Sequence, residues 1–190
     1  MKRIAVLAAL VAAVSVSTAS AEELKSGLQP GKLIGAFYVT KAAGAESDEV
    51  EVGENLCYRC KYGGRPMVMV FTRSTDKHVQ RLVKRLDKAV AKHSDEELKA
   101  FVNVLGEDKK KLETTAKDLV KNTKAKGIPS VVPNEFENGP DDYAINPKAE
   151  VTVIVASGGK VVANHAFSPK KLDKKGIKAI IADLDKLIEG

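Results

Sequence analysis

GGRPMVMVFTRSTDKHVQRLVKRLDKAVAKH, residues 63–93, is the stretch from which the rest of the chain can be read. Gly63, Gly64 and Pro66 introduce an uninterrupted apolar run, Met67 to Phe71, the pattern of a strand buried on both faces. Ser74, Thr75 and Asp76 then offer helix-capping chemistry, which makes them caps rather than a nucleophile. Val79, Leu82, Val83, Leu86 and Val90 follow at helical spacing, with Lys and Arg on the opposite side. The stretch predicts a central strand feeding an amphipathic helix.

Downstream, KAFVNVLG (99–106) predicts a second strand and EDKKKLETTAKDLVKNTKAKG (107–127) a second helix, closed by Gly127. Short links make the two strands a parallel, right-handed pair. A Pro- and Gly-rich passage, 128–145, includes a short strand at Ser130 to Val132. EVTVIVASGGKVVANHAF (150–167) places two β-rich runs around Ser157-Gly158-Gly159, a hairpin signal. KKGIKAIIADLDKLIEG (174–190) sets Ile177, Ile180, Ile181, Leu184 and Leu187 on one helical face.

Upstream, GLQPGKLIGAFYV (27–39) reads as an extended run ending in Phe37, Tyr38 and Val39. KAAGAESDEVEVGEN (41–55) reads as a surface loop with an acidic cluster, Glu46, Asp48, Glu49 and Glu51, and a short strand at Val50 to Val52. The first 21 residues, MKRIAVLAALVAAVSVSTASA, combine basic Lys2 and Arg3, a short apolar run and small residues at Ala19 and Ala21. They predict a secretory signal peptide cleaved after Ala21, with an apolar run too short to span a bilayer. About 170 residues remain, enough for one domain with its own core. The division expected is 1–21 signal peptide, 22–55 an N-terminal extension with short strands, and 56–190 the main domain.

The chain carries a net charge of +6, and 29% of its residues are charged, but the lysines are spread over amphipathic segments. With no aromatic interleaving, this describes a solvated surface and gives no nucleic-acid partner.

NLCYRCKYGGRP (55–66) holds the only two cysteines, Cys57 and Cys60. Outside the cytosol such a pair is expected to oxidise unless it is reduced or metallated. Its residues allow several roles. Arg59, Lys61 and Arg65 would stabilise a thiolate, suiting a redox-active disulfide. A structural disulfide fixing a local turn is the plain alternative. A copper or zinc site would need Cys57 and Cys60 with a ligand such as His78, His93 or His165. Covalent haem is disfavoured, because Lys61 stands where its attachment motif has His. No cofactor is otherwise implied. His165 reads as an edge-strand residue, His78 as a first-turn residue, and Tyr58 and Tyr62 as covers for apolar surface.

The order of elements, strand, helix, strand, helix, hairpin, helix, is similar to the thioredoxin fold. Three passages, GLQPGKLIGAFYVTKAAG (27–44), YGGRPMVMVFTRS (62–74) and VTVIVASGGKVVANHAF (151–167), resemble the peroxiredoxin and cytochrome-maturation branch of that superfamily. The likeness covers residues 27–188. It implies an α/β, thioredoxin-like three-layer fold, a central mixed β-sheet flanked by helices. It also implies a thiol-disulfide redox role through Cys57 and Cys60, the first being the attacker by family precedent. The partner would be another exported, periplasmic or extracellular protein.

The family site does not carry over residue by residue. The usual CxxC follows the central strand, where this chain has TRSTDKHV (72–79), with Asp76 and Val79 in the cysteine positions. The family's cis-proline position falls on Val151, and Pro147 lies four residues too early. The cysteines, lying before the strand, are expected near the opposite pole of the sheet. A second expectation is therefore a non-catalytic binding module that grips a partner through Ser74 to His78 and Val151.

Overall fold

The computed structural model describes residues 24–190; the expected signal peptide lies outside them. A seven-stranded mixed sheet has the order β2-β1-β5-β4-β3-β6-β7. The strands are β1 (Val39–Ala43), β2 (Asn55–Leu56), β3 (Met67–Thr72), β4 (Lys99–Val104), β5 (Ser130–Pro133), β6 (Val151–Ser157) and β7 (Lys160–Phe167). The helices are α1 (Tyr58–Tyr62), α2 (Lys77–Lys92), α3 (Lys109–Thr123) and α4 (Lys174–Glu189). None of them is long and apolar enough to cross a membrane.

The alternation along each strand builds three layers. Val68 and Val70 of β3 point to one face, under Leu82 and Leu86 of α2 and Ile180 and Leu184 of α4. Two right-handed crossovers in succession, β3-α2-β4 and β4-α3-β5, put α3 on that face too, over Val104 and Val132. Met67, Met69 and Phe71 point to the other face, covered by Phe37, Tyr58, Tyr62 and Tyr143. β3 is buried at every position, as its continuous apolar run predicts. The hairpin turns at Gly158 and Gly159, with φ of 58° and 78°, backbone that glycine adopts without strain.

Several expectations need correction. β1 begins at Val39, where the extended run was expected to end, and continues through Lys41, which was expected in a surface loop. Its ammonium is buried because Ala45 O, Val50 O and Asp48 Oδ1 accept from it at 3.1, 2.8 and 2.7 Å. No strand forms at Val50 to Val52; Asp48 Oδ1 instead accepts the Val50 amide at 3.0 Å, closing a tight turn. α3 stops at Lys124, which takes the left-handed conformation itself. Gly127 donates its amide to Asp87 Oδ1 at 2.8 Å and closes nothing. β1 and β2 belong to the same sheet as the other strands.

Candidate functional site

β2 positions the cysteine pair. Leu56 is level with Val39, and Val39 with Pro133 at the carboxyl end of β5. The chain must then travel from there to Met67, at the amino end of β3. Along the way Tyr58 and Tyr62 meet Phe101, with centroids 5.7 and 6.0 Å apart. Cys57 and Cys60 therefore lie at the start of a diagonal across the sheet face opposite α2. β2 runs parallel to β3 and delivers Cys57 from the carboxyl-end side, and α1 then carries the chain toward the amino end of β4, where Lys61 and Tyr62 lie with Lys99.

Cys57 and Cys60 are joined in a disulfide. Cys57 is the N-cap of α1, and its Sγ accepts the Cys60 amide at 3.0 Å. The two residues differ in exposure: Cys57 is 7% exposed, while Cys60, one turn on, is an exposed residue.

A polar clamp holds the intervening helix. Tyr58 donates its phenol to Asp48 Oδ2 at 2.6 Å, and the other oxygen of Asp48 takes Lys41. Burial, together with the bond to Asp48, pushes the Tyr58 phenol well above its ordinary value; burial does the same for Tyr62. Of the three cations expected to favour a thiolate, two are engaged elsewhere. Arg59 Nε donates to Ile34 O at 3.1 Å, and Arg65 Nε to Glu97 Oε1 at 2.9 Å. Lys61 remains exposed. The nearest electrostatic support for a Cys57 thiolate is the Cys60 amide.

The position after β3 is filled without sulfur. Asp76 caps α2, accepting the His78 and Val79 amides at 2.8 and 3.0 Å, so a carboxylate takes the donors that a thiolate would use there. Val151 pairs with Thr72, and no cis peptide occurs among the described residues. Arg73 folds over this end, donating to Glu137 O at 2.6 Å and Asn138 Oδ1 at 3.1 Å; burial lowers its guanidinium below the ordinary value.

The histidines do not join the cysteines. His78 stands on α2, across the sheet from α1. His93 caps the other end of α2, 3.9 Å from Asp185, and His165 Nε2 lies 3.0 Å from Asp183 Oδ2. No group of three potential metal ligands exists among the described residues. Sequence reasoning missed the Lys41–Asp48–Tyr58 clamp, since a lysine and an aspartate seven residues apart in a polar stretch read as surface.

No protein-family model matches the sequence, and neither does any curated protein. Solved structures do match in three dimensions. A proposed protein disulfide isomerase from Bacteroides thetaiotaomicron aligns with a TM-score of 0.61 at 13% identity, over 87% of this chain and 94% of that one. A proposed thiol:disulfide interchange protein DsbE from Chlorobium tepidum gives 0.58 at 14%, over 83% and 99%. AhpC of Mycobacterium tuberculosis gives 0.59 at 13%, over 84% and 98%. These likenesses establish a thioredoxin-like fold for the chain.

Proposed function

We propose that this thioredoxin-like chain is an exported thiol-disulfide exchange protein that works through Cys57 and Cys60, with Cys60 the sulfur that partners meet. The observation that carries the reading is the asymmetry of the pair: an exposed Cys60, and a shielded Cys57 whose sulfur already accepts an amide. In the oxidising direction a partner thiolate attacks Cys60 Sγ. The Cys57–Cys60 bond breaks, and Cys57 leaves as a thiolate held by the Cys60 amide. The partner's second thiolate then attacks its own sulfur in the mixed disulfide and releases Cys60. The partner loses two electrons and two protons; the chain gains both as a dithiol. Run in reverse, Cys60 attacks a partner disulfide and Cys57 resolves it. This order inverts the family precedent, in which the first cysteine attacks.

Export is supported by the leader-like first 21 residues and by a disulfide, which persists in oxidising compartments. The partner would be another exported protein. A second reading, a binding module with a structural disulfide, is favoured by the sulfur-free end of β3 closed by Asp76 and Arg73. Insulin reduction in the presence of excess dithiothreitol separates the two: acceleration that disappears in Cys60→Ser supports exchange, and none in the native protein supports the binding module.

A further inference from the structure

The sheet face remote from the disulfide carries a feature that exchange does not use. α2 follows β3 and α4 follows β7, and both strands run antiparallel to β6. The two helices therefore lie parallel over the shared core, with their amino ends at the same pole. Between them runs a groove of about 670 Å³ with Arg81 and Arg85 on the α2 side and Lys174 and Lys178 on the α4 side. Its floor is apolar: Ile177, Ile181 and Ala182.

The charges of this groove are unbalanced. None of the four cations makes an ion pair among the described residues. Neither helix has an acidic residue in its first turn, so only the caps Asp76 and Asp173 oppose the positive helix ends. Like charges four residues apart on one helix disfavour folding by a few tenths of a kcal/mol per pair, and this groove has one such pair on each wall. Asp185 is the one carboxylate in the lining, and it lies toward His93 at the far end of α2.

Spacing narrows the occupant. Residues four apart on a helix rise about 6 Å, close to the roughly 6.7 Å between alternate side chains of an extended strand. An extended segment with acidic residues at alternate positions would match both walls. The floor of two isoleucines and an alanine suits one or two aliphatic side chains and is too short for an acyl chain, and a free phosphate would leave it uncovered. We propose that this groove binds an acidic, extended peptide segment of a partner protein, its carboxylates between the two cationic walls and an aliphatic side chain on Ile177 and Ile181. The site lies across the sheet from Cys60 and stands whether or not the disulfide exchanges.

The test is a fluorescence-anisotropy titration of the purified protein with a labelled Glu-Val-Glu-Val-Glu peptide. Saturable binding is expected, weakening as salt rises, with a Gln-Val-Gln-Val-Gln control at least about tenfold weaker. Arg85→Gln with Lys178→Gln, both exposed, should weaken the acidic peptide by about tenfold without changing the melting temperature. Ala182→Glu, which places a carboxylate in the groove, should do the same independently. Equal binding of the two peptides, or unchanged binding by the variants, overturns the proposal. So does displacement of the peptide by inorganic phosphate at constant ionic strength, or preferential binding to phosphatidylglycerol vesicles. Self-association that depends on Lys178 would identify a second copy as the occupant, and would also overturn it.

Discussion

In the proposed exchange Cys60 and Cys57 divide the labour by access, and single substitutions separate them. Cys57→Ser leaves the exposed Cys60 able to attack a partner disulfide, with nothing to resolve the product; a stable mixed disulfide at Cys60 should accumulate and be visible by non-reducing mass spectrometry. Cys60→Ser leaves a shielded thiol, which should give no such adduct. The reverse pattern would return the attacking role to Cys57. Lys41 is the other decisive residue. Its ammonium is 1% exposed and its partner Asp48 is 11% exposed, so Lys41→Ala strands a carboxylate that also accepts from Tyr58. Urea unfolding should show a loss of about 3 kcal/mol. No hydrophobic pattern announces Lys41, because a lysine is strand-compatible inside a protein only when its donors are met, and the three acceptors lie up to nine residues away.

At the level of elements, the long ones were legible, and of the short ones only β5, set within a Pro- and Gly-rich passage, was. β3, α2, β4, β6, β7 and α4 each run long enough for a period of 2 or 3.6, or a continuous apolar run, to be counted. β2 has two residues and α1 five, fewer than any period needs, and these are the two elements that place the cysteines. β1 hides for a different reason: VTKAA has little strand propensity after its first two residues, and pairing with β5 across a register shift holds it in place. The Asp76 cap was readable because capping is local chemistry. Replacing it with Ala should lower stability by about 1 kcal/mol in a urea titration, by orphaning the His78 and Val79 amides. Its loss should leave disulfide exchange intact, since α2 lies across the sheet from the pair.

Across the whole molecule the aromatic face ties the disulfide segment to the core. Tyr58, Tyr62 and Tyr143 are buried on it with Phe37, Phe71 and Phe101, and burial raises all three phenols above their ordinary value near 10. A raised phenol contributes stability that is intact below the unfolded value and is lost as pH climbs above it, because the unfolded chain then gives up protons that the folded one retains. Each tyrosine should steepen the loss by roughly 1.4 kcal/mol per pH unit above about pH 10, and Tyr143→Phe should make the fall shallower in denaturant titrations. The thioredoxin-like topology was legible because the order of elements nearly determines it. The place of the cysteine pair was not, since it depends on the parallel run of β2. The measurement that bears most directly on the exchange reading is the equilibrium between the Cys57–Cys60 disulfide and glutathione buffers, with turnover followed on insulin. Exchange predicts a reduction potential above about −300 mV with measurable turnover; a potential far below about −300 mV with none would contradict it.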